Sequence, residues 1–121
     1  MNDFADLIIG SWTKSENIDN EHGIGIDTFF KGGKKDTAVT VFTIGQGDPV
    51  NYLIKSTWSI SGRVVTEKVT EIDKGYTKLA AIKKGTVIRY RIMDVSAERL
   101  VLLPLDNKHL KPVEITYRRS N

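Results

Sequence analysis

From Tyr52 to Ser61 apolar and polar side chains alternate. Tyr52, Ile54, Trp58 and Ile60 share one parity with Ser56, and Lys55, Thr57 and Ser59 take the other. Successive side chains of a strand point to opposite faces, so this segment predicts a β-strand with one apolar and one wet face. Thr86–Val95 follows the same rule, with Ile88, Tyr90 and Ile92 opposite Arg89 and Arg91. So does Pro112–Arg119, where Val113, Ile115 and Tyr117 oppose Glu114, Thr116 and Arg118. Arg119 then falls on the apolar, inward parity. Shorter apolar or β-branched runs predict further strands at Ile8–Thr13, Ile24–Lys31, Thr37–Ile44, Val64–Ile72 and Arg99–Leu103. Asp3–Leu7 predicts one helical turn, and the polar stretch Ser15–Gly23 a loop. Thr77–Lys84 fits a short helix or a strand, because periodicity does not separate the two over so short a run.

Glycine and turn-forming residues punctuate these segments: Gly32-Gly33, Gly45 to Pro49, Ser61-Gly62, Asp73-Lys74-Gly75 and Gly85. About eight strands joined mostly by short turns leave no room for the crossover helices that parallel pairing requires. The expected fold is all-β, an antiparallel up-and-down meander of roughly eight strands. Closing it into a barrel removes the exposed edges. The length of 121 residues suits a single domain spanning 1–121.

Several short motifs in this order resemble the bacterial lipocalin-like domains. Gly10-Ser11-Trp12, preceded by Leu7-Ile8-Ile9, is similar to the G-x-W opening strand of lipocalins and related calycins. Thr28-Phe29-Phe30-Lys31-Gly32-Gly33 resembles the hairpin that follows it. Trp58-Ser59-Ile60-Ser61-Gly62 resembles the central strand. Leu100-Val101-Leu102 and Tyr117-Arg118-Arg119 resemble the closing pair. The resemblance covers nearly the whole chain and implies an eight-stranded barrel. It also implies that Trp12 closes one end beneath an arginine of the last strand, which the inward parity of Arg119 identifies. The alternative reading makes Trp12 plain core and Arg119 a frayed terminal charge.

Composition narrows the chemistry. With 40% hydrophobic and 27% charged residues the chain builds both a core and a solvated surface. No apolar run approaches a membrane span. The net charge of +3 is small, and Lys31, Lys34, Lys35, Lys74, Lys83, Lys84 and the terminal Arg118 and Arg119 are expected among turns, strand exteriors and the chain end. They do not form the basic stripe with interleaved aromatics of a nucleic-acid binder. Met1-Asn2-Asp3 lacks a basic leader region. The chain as it stands reads as cytoplasmic, and as periplasmic or secreted if a leader has been removed. With no cysteine there is no disulfide, thiolate site or thiol nucleophile. His22 and His109 lack metal-ligand spacing, and the serines lack a nucleophile elbow. The glycine pairs Gly23-Ile24-Gly25 and Gly45-Gln46-Gly47 lack the sequence that follows in a phosphate loop. No catalytic residue, metal or cofactor is expected.

One chemical oddity stands in Val64–Ile72. Glu67 and Glu71 share the parity of Val65 and Val69. Pointing inward, they offer paired carboxylates for acid–base work. Pointing outward, they leave Val64, Thr66, Lys68, Thr70 and Ile72 inside. The outward reading is favoured, because burying two unpaired carboxylates is costly. The inner wall is then expected to carry Tyr52, Ile54, Ser56, Trp58, Ile88, Tyr90 and Tyr117, the candidate ligand-binding residues. The leading expectation is a non-enzymatic binding module for a small apolar or amphipathic ligand. The alternative is a solid barrel that contacts a protein partner through an open edge or a loop end.

Overall fold

The structure, a computed structural model, describes residues 3–18, 21–45, 47–72, 83–105 and 113–120. A short helix, α1 (Asp3–Ile8), leads into β1 (Gly10–Ile18), β2 (Glu21–Phe30), β3 (Lys34–Thr43) and β4 (Val50–Ser61). β5 (Val64–Ile72), β6 (Val87–Val95), β7 (Arg99–Pro104) and β8 (Ile115–Arg119) complete the chain. Each strand pairs antiparallel with its sequence neighbour. β8 returns to β1 with Trp12 opposite Arg119, which closes an eight-stranded barrel in meander order.

The expected all-β meander is what the chain forms, with differences at the strand ends. Residues 15–18 and 21–23 are strand rather than loop. β1 runs to Ile18 and β2 starts at Glu21, in unbroken register from Gly10 opposite Phe29 to Ile18 opposite Glu21. The ladder is made by backbone groups, so polar side chains do not end it, and β3 continues it on the far side of β2. At the other terminus β8 is shorter than expected. Val113 precedes it and is 62% exposed rather than inward. The ambiguous segment 77–82, the turn at 73–75 and His109 lie outside the described residues.

The register of β5 resolves its glutamates. Val65, Glu67 and Val69 face inward, contrary to the outward expectation. Between Val69 and Glu71 the pairing with β4 skips Thr70: Ser56 stands opposite Val69, and Lys55 opposite Glu71. This bulge inserts one residue and flips the parity beyond it. Glu71 is therefore exposed while Glu67 is buried, and the expected pair is split between the two faces.

The core fills the barrel toward the α1 end. Ile8, Trp12, Phe29, Trp58, Val65, Ile88, Tyr90, Ile92, Leu100, Leu102 and Tyr117 pack in one cluster, with Phe4 and Ile9 against it. The rings of Phe29 and Trp58 meet edge-to-face at 5.4 Å, the geometry their quadrupoles favour.

Candidate functional site

At the α1 end the chain faces a local problem. The last carbonyls of a helix have no partner within it, and α1 carries no basic residue in its last turn. Trp12, just beyond the helix, and Arg119, from the last strand, supply the donors. Trp12 Nε1 donates to Ile8 O at 2.8 Å. Arg119 donates through Nη1 to Ile9 O at 2.7 Å, through Nη2 to Leu7 O at 3.1 Å, and through Nε to Ala97 O at 3.0 Å. The guanidinium then lies 3.9 Å from the centroid of the Trp12 ring, a cation–π contact. Gly10 makes this fit possible. Its φ of 124° is one that side-chain-bearing residues rarely adopt, and a Cβ there would run into Arg119 Nη1.

The middle of the barrel is polar. Asp27 and Lys35 are each 3% exposed, Ser56 and Glu67 each 4%. Lys35 Nζ donates to Glu67 Oε1 at 2.7 Å and lies 3.5 Å from Asp27 Oδ2. Ser56 Oγ donates to Glu67 Oε2 at 2.7 Å. The ammonium also sits 4.9 Å from the Phe29 ring and 5.7 Å from the Tyr90 ring. Lys35 is thus not on a strand exterior: it is a buried cation held between two carboxylates from β2 and β5. This pairing answers the objection to an inward Glu67, which was the cost of an unpaired charge.

The charge states follow from the surroundings. Burial alone would discharge Lys35, but Asp27 and then Glu67 outweigh it and hold the ammonium protonated, above its ordinary range. A lysine so held is no nucleophile. Burial likewise pushes Asp27 up, yet Lys35, Lys14, Tyr117 and Thr37 together bring its carboxyl below the usual value. Burial raises both phenols, reinforced by Glu67 at Tyr90 and by Asp27 at Tyr117.

The expected wall residues divide in two. Trp58, Ile88, Tyr90 and Tyr117 join the packed core, and Trp58 Nε1 donates to Phe30 O at 3.1 Å. Ile54 is buried outside that cluster, and Tyr52 remains half-buried toward the end opposite α1. Ser56 is buried and faces Glu67. Asp27, Lys35 and Lys14 were missed. Lys14 shares the inward parity of Trp12, and its ammonium stands 5.4 Å from the centroid of the Tyr117 ring. No pattern along a single strand marks Asp27 or Lys35: the charges on β2, β3 and β5 make sense only against one another. Among the described residues no group of three His, Cys, Asp or Glu is placed to hold a metal. His22 packs by the Phe42 ring, centroids 6.1 Å apart.

A closed eight-stranded meander with an N-terminal helix, and a tryptophan under an arginine of the last strand, defines a lipocalin-like barrel. The fold matches the crystal structure of a lipocalin-like protein from Bacteroides uniformis ATCC 8492. The TM-score is 0.58 at 14% identity, covering 93% of this chain and 98% of that one. No family model and no curated protein matches the sequence. No helix among the described residues is long and apolar enough to cross a membrane.

Proposed function

We propose that this chain is a non-enzymatic binding module that takes a small apolar or amphipathic molecule into the barrel from the end opposite α1. Lipocalin-like barrels are in general binding scaffolds rather than enzymes. The observation that carries the reading is a difference in burial along one inner wall. Lys14, Val39, Val41 and Tyr52 have the inward parity, yet each stays partly accessible, while toward α1 Trp12, Phe29, Trp58 and Ile92 are buried. Half-exposed apolar groups facing the interior are what an entering apolar surface would cover. Tyr52 and Ile54 form the wall, and Trp58, Ile88, Tyr90 and Tyr117 lie beneath it.

The test is fluorescence titration with N-phenyl-1-naphthylamine, an apolar probe. Saturable binding is expected, with quenching of tryptophan emission. Val39→Phe, which places a ring beside Tyr52, should weaken it by about tenfold. Leu53→Lys, on the outer face, should leave it unchanged. Absence of saturable binding overturns the reading.

A second reading, a module for a protein partner, rests on the outer face of β2–β4. Among the described residues the barrel closes through β1 and β8, in a ladder that joins Trp12 to Arg119 and Thr13 to Arg118. What supports a partner instead is an in-register row of Ile26, Ala38 and Leu53, exposed on three adjacent strands, with Phe42 on the same face. Leu53→Lys should then abolish association while probe binding persists.

A further inference from the structure

One polar atom of the barrel interior is left over. Asp27 Oδ1 is buried and has no well-aligned hydrogen-bond partner, although the Tyr117 and Thr37 hydroxyls stand near the carboxylate, while Oδ2 faces Lys35. Glu67, by contrast, has both oxygens engaged, by Lys35 and Ser56. An unpaired buried carboxylate oxygen is costly, and native interiors rarely keep one without a partner. Near it stands a half-buried donor with capacity to spare. The Lys14 ammonium lies over the Tyr117 ring and makes no ion pair with any described carboxylate. Its stem runs past Gly25, where a Cβ would come within 3.3 Å of Lys14 Cε. Gly25 thus leaves the room that lets Lys14 lie inward. Its charge reaches Asp27 and helps keep that carboxyl ionised.

The charges at this level balance. Among the described residues facing the interior here, Lys14 and Lys35 are cations and Asp27 and Glu67 are anions. A charged head group brought among them would leave one charge uncompensated in a poorly solvated place, whichever its sign. A neutral group with a donor hydrogen and an acceptor lone pair satisfies both loose ends and adds no charge. A hydroxyl and a primary amide both have that chemistry.

We propose that the ligand is a neutral amphiphile whose hydroxyl or primary amide head reaches the floor of the site. There it donates to Asp27 Oδ1 and accepts from Lys14, with its apolar tail along Val39, Tyr52 and Ile54. This rests on the binding-module reading and adds to it the chemical class of the ligand. The simpler occupant of Asp27 Oδ1 is an internal water, and the experiment separates the two.

The intact chain, loaded with N-phenyl-1-naphthylamine, is titrated at neutral pH with four ten-carbon competitors below their micelle concentrations: 1-decanol, decanamide, decanoate and decylamine. The neutral pair should displace the probe at concentrations about tenfold lower than either charged competitor. The charge balance then makes an opposite pair of forecasts. Lys14→Met removes a cation and should move the preference to decylamine. Asp27→Asn removes an anion and should move it to decanoate. Lys14 is only half-buried, so its variant carries the test even if Asp27→Asn fails to fold. Equal displacement by all four overturns the head-group inference and assigns Asp27 Oδ1 to water, with the binding module left standing. A wild-type preference for decanoate or decylamine overturns it too, as does a preference unmoved by Lys14→Met. A protein that binds no probe at all overturns the parent reading instead.

Discussion

The two levels of this barrel solve the same problem in opposite ways. At the α1 end the polar groups to be satisfied are backbone carbonyls, and Trp12 and Arg119 reach them while covering apolar surface. In the middle, the buried polar groups are side chains of full charge, matched against one another across β2, β3 and β5. The first arrangement adds burial and hydrogen bonds together. The second sets Coulomb attraction against desolvation, two large terms that nearly cancel. The α1 end is therefore expected to supply stability, and the middle to supply chemistry that a plain hydrocarbon core would lack.

The comparison breaks most directly by substitution at each level. Lys35→Met strands two carboxylates and should cost about 3–5 kcal/mol. Adding Asp27→Asn and Glu67→Gln removes the stranded charges, and most of that loss should return. Trp12→Ala should also cost about 3–5 kcal/mol, through a cavity and an orphaned Ile8 carbonyl, and no companion change should restore it. Urea denaturation measures all three variants. If the triple variant is no more stable than Lys35→Met alone, the middle is held by packing and not by charge pairing.

Alkali sharpens the same contrast. Lys35, Tyr90 and Tyr117 all have folded pKa values above their ordinary ones. The unfolded chain therefore loses these protons first, and stability falls once the pH passes the unfolded values near 10. Three such groups give a slope approaching ~4 kcal/mol per pH unit. On the acid side Asp27 works in reverse. Its folded pKa is lowered, so its contribution is present above about pH 4 and fades as the pH falls toward the folded value, at no more than ~1.4 kcal/mol per unit. Stability measured against pH should show the steeper alkaline limb. Tyr117→Phe should flatten that limb by one proton, and an unchanged slope would mean the phenol titrates freely.

Arg119→Ala should cost about 1–2 kcal/mol, since the part-buried Ile9 carbonyl loses a charged donor while water can reach those of Leu7 and Ala97. In the Trp12→Ala background the cost should shrink by roughly 0.5–2 kcal/mol, the value of the ring contact. Strict additivity would separate the two side chains energetically despite their 3.9 Å approach.

How much of this the sequence discloses depends on how local the cause is. β4 and β6 were legible because each alternates cleanly between a wet and a dry face. Trp12 and Arg119 could be named because the resemblance to lipocalin-like domains implies the pair, and the parity of the last strand picks Arg119 over Arg118. The charged middle could not. Lys35 sits in the run Lys34-Lys35-Asp36, which looks like a solvated turn, and only its register opposite Phe29 and Ser56 turns it inward. On β2 the apolar parity misleads outright: Ile26 and Phe30 are exposed while Asp27 is buried. On β5 a single skipped residue, Thr70, separates two glutamates that sequence spacing puts together. Each of these depends on contacts between strands, and a pattern along one strand holds no record of them.

The smallest effect tests whether the middle level is as finely satisfied as its distances imply. Ser56 donates to Glu67 Oε2, while Lys35 and the Tyr90 hydroxyl also face that carboxylate. Ser56→Ala deletes that donor and little volume, so the loss should be about 1–2 kcal/mol, the range for a hydrogen bond to a charged acceptor. The same change made on Glu67→Gln should cost under ~0.5 kcal/mol, because the amide is a weaker acceptor and needs less compensation. A loss that stays the same in both backgrounds would make Ser56 a matter of fit alone. Ser56→Leu is the harsher variant. It removes the donor and also drives a branched side chain against the buried carboxylate, so it should destabilise more than Ser56→Ala whether or not the barrel has room for a ligand.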